Sequence, residues 1–225
     1  MEKIEKYKKL WKDMKLRTNN RIYKIDKNGK KRRVFWIRGL NIIWQGSNST
    51  VILHEPCVKF RNSMLVMGEN ATATFKRSRT KLKKMELHVW SEGGSLEIGE
   101  NLLPNFNCRI NVYREPNLHV KIGDNCMMGP NVEISASDAH CIYQTDDGKV
   151  LNKGKNITIG NHCWFTSNVS VFKGVTIADN CIFGAGANIT KDCLTPNGLY
   201  VGTPAKLIKE NVNWDYDFPE GEYHV

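Results

Sequence analysis

A six-residue period governs the second half of this chain. Ile159, Phe165, Val171, Ile177, Phe183 and Ile189 open successive hexapeptides, whose fifth positions are Cys163, Val169, Val175, Cys181, Ala187 and Cys193. Val201-Gly202-Thr203-Pro204-Ala205 falls in the same frame. An upstream block keeps the period, with Ile98, Pro104, Ile110, Pro116, Ile122, Met128 and Ile134 six apart and Leu102, Cys108, Cys126 and Val132 at fifth positions. Self-similarity at a fixed short period marks a solenoid, in which each repeat buries its apolar residues against its neighbours. Three hexapeptides make one coil of about 18 residues, and each coil adds a strand to each of three parallel faces, about 4.7–4.9 Å from the last. The large first residue fills the interior, and the small fifth residue lets the corner turn tightly. Val34 to Val89 is rich in β-branched and aromatic residues but repeats poorly, and is assigned to irregular N-terminal coils.

This frame accounts for the cysteines. Cys108, Cys126, Cys163, Cys181 and Cys193, five of the seven, occupy fifth positions, where a free cysteine serves as a small hydrophobe. No CxxC pair occurs, and none of His54, His88, His119, His140, His162 and His224 lie three to five apart, so no metal is expected. A chain of 225 residues, 40% hydrophobic and 25% charged, suits one domain with short appendages. The opening MEKIEKYKKL lacks the apolar core of a secretory leader, and no run approaches the roughly 20 apolar residues that span a bilayer. A cytoplasmic protein is expected.

Charge is unevenly spread. Residues 1–33 hold 14 Lys and Arg against 4 Asp and Glu, which accounts for the net charge of +10. A second basic run, Lys76-Arg77-Ser78-Arg79-Thr80-Lys81-Leu82-Lys83-Lys84, contains no acid. Such runs attract polyanions: an acidic polysaccharide, an anionic membrane or a nucleic acid. The alternative is a solvated arm. Ile4, Tyr7, Trp11 and Met14 are spaced as on one face of a basic amphipathic helix over residues 1–17. Packing on the solenoid is its favoured use, and peripheral contact with an anionic membrane is a second. The expected organisation is a basic helix and arm over 1–33, a β-helix domain over 34–210 with a loop at 141–157, and an acidic, aromatic tail over 211–225.

The run IGNHCWFTSNVSVFKGVTIADNCIFGAGANITKDCLTPNGLYVGTPAKLI, with SASDAHCIY before it, resembles the hexapeptide-repeat acetyltransferases. It is most similar to the capsule and lipopolysaccharide O-acetyltransferases, those of polysialic acid capsules among them. The resemblance spans Ile98 to Glu210, half the chain. It implies an all-β, left-handed parallel β-helix and a homotrimer with active sites between neighbouring solenoids. It also implies acetyl transfer from acetyl-CoA to a sugar hydroxyl of a bacterial surface polysaccharide, with no nucleic-acid partner. Two rivals stand beside it: an O-acetyltransferase of a free sugar, an antibiotic or serine, and a non-catalytic polyanion-binding β-helix.

His140 falls where the upstream frame places an interior aliphatic, so the coil ends there or the imidazole faces a cleft. It also roots the polar stretch CIYQTDDGKVLNKGKN, which breaks the repeat before Ile159 resumes it. The family places its general base here, and a neutral imidazole can take the proton of an attacking hydroxyl. Asp138 either orients that imidazole, binds substrate or forms a turn. Asn105 lies 35 residues before His140, close to two coils of 18, which places it near the same corner. The family implies acceptor contact for Asn105 and a border to the thioester for Trp164, beside a backbone N–H able to hold the oxyanion. Ser167, Ala185, Thr190, Lys191 and Lys206 match positions along the family's CoA track, where small residues admit the pantetheine arm and lysines meet its phosphates.

Overall fold

A computed structural model describes residues 18–217. The expected helix over 1–17 and the end of the tail lie outside the described residues. Those described form strands and turns with no helix, wound as a three-sided parallel solenoid. The first face runs from Arg21–Ile25 through Thr50–His54, Thr72–Phe75, Ser95–Ile98, His119–Ile122 and Ile157–Ile159 to Thr176–Ile177. The second holds Lys59–Arg61 and Lys81–Lys83, then Leu103–Pro104, Met127–Met128, Trp164–Phe165, Ile182–Phe183 and Leu199–Val201. The third runs from Leu40–Trp44 to Asn188–Ile189. From Thr50 to Ile189 the chain visits the faces in that order, while the first coil passes from Lys31–Val34 to Leu40–Trp44 without a second-face strand.

Register shows why only the second half displays an 18-residue coil. Thr158 pairs with Thr176, a step of 18. Upstream, Thr50 pairs with Thr72, Thr72 with Ser95 and Ser95 with His119, steps of 22, 23 and 24. The N-terminal coils are therefore regular but longer, and their extra residues sit in the corners. Pro116 keeps the six-residue frame without being a strand position: it lies in a turn between Arg109–Val112 and His119–Ile122. The first face also begins earlier than the Val34 boundary. Arg21–Ile25 pairs in parallel with Thr50–His54, Ile22 enters the core, and Lys31–Val34 folds back antiparallel along the edge. One short strand without an in-frame neighbour leaves no period to detect.

The interior is a set of stacked columns. Phe165 lies over Phe183 with ring centroids 5.0 Å apart, and Phe183 over Tyr200 at 5.5 Å. All five fifth-position cysteines are buried, and burial pushes the Cys108 thiol up to about 11 and that of Cys193 up to about 12. Corners turn through left-handed residues, predominantly asparagine, which tolerates that backbone and bonds locally. These asparagines form ladders between coils, Asn101 to Asn125 at 3.1 Å and Asn131 to Asn168 at 3.0 Å. At Gly123 a Cβ would stand 2.5 Å from the Gly160 carbonyl oxygen of the next coil, so only glycine lets the two corners stack.

Candidate active site

The strand Glu133–Ser135 ends at the corner between the third and first faces, and there the chain leaves the solenoid. Ser137 Oγ accepts from the Ala139 amide at 3.1 Å, and the His140 amide donates to the Asp138 carbonyl at 2.7 Å around a left-handed Ala139. Beyond His140 the chain forms an antiparallel hairpin, bridged at Tyr143 and Val150, with Ile142, Tyr143 and Leu151 exposed. It rejoins where the Lys155 amide donates to the Ala136 carbonyl. The coil therefore ends before the frame reaches His140, and the imidazole is exposed rather than interior. Among the described residues it has no hydrogen-bond partner, so both ring nitrogens are available to a substrate.

What fixes His140 is its backbone. Asn152, at the far end of the hairpin, donates from Nδ2 to the His140 carbonyl and to Asp138 Oδ2, both at 2.8 Å. Its Oδ1 accepts from the Ile142 amide at 2.7 Å. Lys173, from the next coil, forms an ion pair with Asp138 Oδ2 and donates to the Asn152 carbonyl at 2.9 Å. Partial burial raises the Asp138 pKa, but the Lys173 and Asn152 hydrogen bonds and the Lys173 charge outweigh it and hold the carboxyl below its ordinary range. Asp138 thus bonds to Lys173 and Asn152, not to the imidazole. Beside it on the third face, Tyr113, Glu133, Ser135 and Phe172 line a cleft of about 330 Å³. Sequence reasoning missed Asn152 and Lys173 because their partners are set by where the excursion rejoins the coil.

Asn105 leaves a different corner, between the second and third faces. The expectation that it shares the corner of His140 is corrected: the spacing of 35 residues was read against coils of 18, whereas these coils run to 24 and 37. Asn105 Oδ1 accepts from the Phe106 amide at 2.9 Å, which leaves its NH₂ free to donate outward. Along this second corner the coils stack Phe106, Pro130, Ser167 and Ala185. The Asn168 amide donates to the Pro130 carbonyl at 2.9 Å, and that of Gly186 to the Ser167 carbonyl at 3.0 Å. The amides of Ser167 and Ala185 donate to no partner among the described residues. The Trp164 amide, by contrast, donates to the Cys181 carbonyl at 2.9 Å and is committed to the ladder. Thr190 and Lys191 follow Asn188–Ile189 and return to the corner of His140, while Lys206 opens the antiparallel strand Lys206–Lys209 beside Leu199–Val201.

Trp164 points out of the second face and carries a partner that the sequence did not announce. Trp214, in the tail, is 8% exposed, stacks on His162 at a centroid distance of 4.3 Å and tilts against Trp164 at 5.8 Å. Its Nε1 donates to the His162 carbonyl at 2.8 Å. His162 takes the left-handed corner position that asparagine fills in neighbouring coils. Fifty-two residues separate this pair, and no local pattern marks it.

Three comparisons bear on this geometry. The family described as "Hexapeptide repeat of succinyl-transferase" matches residues 119–137 and 156–191. The chain is 36% identical over 197 residues to the galactoside O-acetyltransferase of Escherichia coli K12, across 84% of this chain and 85% of that protein. It is 50% identical over 95 residues to a polysialic acid O-acetyltransferase of Neisseria meningitidis, across 42% of this chain and 44% of that one, so it spans less than half of that relative's length. In fold it is similar to the crystal structure of the polySia-specific acetyltransferase NeuO, with a TM-score of 0.71 at 24% identity over 92% of this chain and 88% of that one. The solenoid is a left-handed parallel β-helix.

Proposed function

The chain belongs to the hexapeptide-repeat acetyltransferase family, and from that premise we propose that it moves the acetyl group of acetyl-CoA to a sugar hydroxyl of a bacterial surface polysaccharide. The observation that carries this reading is the exposed imidazole of His140, unbonded at its ring and held through its carbonyl by Asn152. As general base it accepts the proton of the hydroxyl while that oxygen attacks the thioester carbonyl. The tetrahedral intermediate then expels CoA thiolate: the C–O bond forms, the C–S bond breaks, and the imidazolium returns its proton to sulfur. The unpaired amides of Ser167 and Ala185 suit the oxyanion better than that of Trp164, which is already bonded.

The residues matched to the CoA track divide between two corners of one solenoid: Ser167 and Ala185 at one, Thr190 and Lys191 at the other with His140. A homotrimer brings unlike corners of adjacent chains together, and the exposed apolar side chains of the 141–156 hairpin give a neighbouring chain something to cover. Acetyl-CoA then lies between chains, with Lys191 and Lys206 available to its phosphates and Asn105 to the acceptor. The buried free thiols suit the reducing cytoplasm, where the co-substrate is made. A free sugar as acceptor is the second reading, favoured by the length of the galactoside O-acetyltransferase match. Release of CoA thiol from acetyl-CoA, with polysialic acid and with simple galactosides, tests both. The expected result is polymer-dependent release that His140→Ala lowers about 10²–10⁴-fold. Release with galactosides alone selects the second reading, and release unaffected by the substitution overturns the role of His140.

A further inference from the structure

The N-terminal part of the second face is a cationic surface separate from the candidate active site. Lys59–Arg61 lies beside Lys81–Lys83 with Lys59 opposite Lys81 and Arg61 opposite Lys83. Phe60 and Leu82 turn into the core, so alternation sends all four cations outward, where they are exposed. Strand geometry puts like charges about 5 Å apart across the pair and about 7 Å apart along each strand. Facing like charges destabilise a sheet unless something compensates them. Some cations of neighbouring strands and corners are paired with acids, Arg77 with Glu100 and Arg109 with Glu86, whereas these four, which face one another, have no ion-pair partner among the described residues. Lys84 extends the patch. With Arg61 and Lys83 it forms the basic wall of a cleft of about 390 Å³ whose far side carries Asn105 and Phe106. Burying so many unpaired charges against another chain is costly, which keeps this face at the surface of any assembly.

We propose that Lys59, Arg61, Lys81, Lys83 and Lys84 bind an extended carboxylated polysaccharide at a distance from the reacting hydroxyl and lead it to the Asn105 corner. This deepens the polymer-acceptor reading above and rests on it. The repeat of charges along the solenoid axis matches a polymer with an anion on each unit. The two strands present no outward apolar or aromatic side chain and the cleft beside them adds the single exposed ring of Phe106, short of the apolar face of a membrane-binding surface and of the successive stacking rings of a single-stranded nucleic-acid groove.

The test uses the full chain and the triple substitution Lys59→Gln, Lys81→Gln, Lys83→Gln, with Lys27→Gln, Lys30→Gln, Lys209→Gln as an equal-charge control. Binding is measured to polysialic acid, dextran, duplex DNA and phosphatidylserine vesicles over a salt series. The altered side chains are exposed, and equal melting temperatures verify folding. We expect the triple variant to bind polysialic acid about tenfold or more weakly at low salt, with a shallower salt dependence. We also expect KM for the polymer to rise while kcat on a short sialic acid acceptor stays unchanged. An equal loss in the control, no loss in the triple variant, or tighter binding of the wild type to DNA or vesicles than to polysialic acid overturns the proposal. Wild-type protein that binds polysialic acid through these lysines yet transfers no acetyl group to it retains this face and refutes the acceptor reading alone.

Discussion

Replacing Asn152 with alanine separates positioning of the base from the chemistry it performs. The amide makes three hydrogen bonds, to the His140 carbonyl and Asp138 Oδ2 at 2.8 Å and from the Ile142 amide at 2.7 Å. At a half-exposed site the freed groups are solvated, so each bond is worth about 0.5–1 kcal/mol net rather than the full penalty of a buried orphan. Lys173 still holds Asp138 and the Asn152 carbonyl, and both survive the substitution. The loss that falls on the His140 turn is then about 1.4 kcal/mol, a tenfold fall in the equilibrium constant between imidazole in place and imidazole displaced, so the fraction in place falls by at most about tenfold. Steady-state turnover at saturating acetyl-CoA should show kcat reduced severalfold, at most about tenfold, with KM for acetyl-CoA unchanged and an unaltered pH profile. This lies well short of the about 10²–10⁴-fold expected for His140→Ala. An unchanged kcat would refute the clamp. A loss as deep as that of His140→Ala, with a displaced pH profile, would show that Asn152 takes part in the reaction itself.

Asp138 has a pKa held below its ordinary value, so its interactions stabilise the fold above the unfolded carboxylate pKa and are lost as pH falls through the folded one. Asp138→Asn should therefore melt below wild type at neutral pH, with the difference shrinking as the pH drops below about 4; a difference independent of pH would show that the carboxylate charge is not involved. Phe183→Ala opens the middle of the Phe165–Phe183–Tyr200 stack and should cost about 3–5 kcal/mol. Because coils contact only their neighbours, hydrogen exchange should accelerate in residues 160–205 and stay slow in 50–100, and uniform acceleration would contradict that local coupling.

The three-sided solenoid was legible because the hexapeptides from Ile159 to Ile189 follow an 18-residue coil; after them the step shortens to 17, so Tyr200 and not the in-frame Val201 continues the Phe165–Phe183 column. Before Ser95 the same fold was hidden, since corner residues that lengthen a coil to 22 or 23 shift the next apolar position out of any fixed frame. The 24-residue coil from Ser95 to His119 kept the frame only because its added corner is six residues long, and that coincidence misplaced Asn105 relative to His140. His140 itself was legible as a polar residue on an expected core position at the root of a break. Its clamp was not, because Lys173 meets Asp138 across a 37-residue coil whose hairpin has to close first. The Trp214 contact with His162 and Trp164 rests on tertiary packing alone.

The central claim is that His140 of one chain works with the Ser167–Ala185 corner of its neighbour. Two variants, His140→Ala and Ala185→Trp, each remove one half of such a site, and each alone should release little CoA thiol. Co-expressed in equal amounts, they assort at random, and in a closed ring roughly a quarter of the sites combine an intact His140 with an intact Ala185. Acetyl transfer by the mixed protein should therefore recover to roughly a quarter of wild type. Activity no greater than the sum of the two parents would place both halves in one chain and contradict the account.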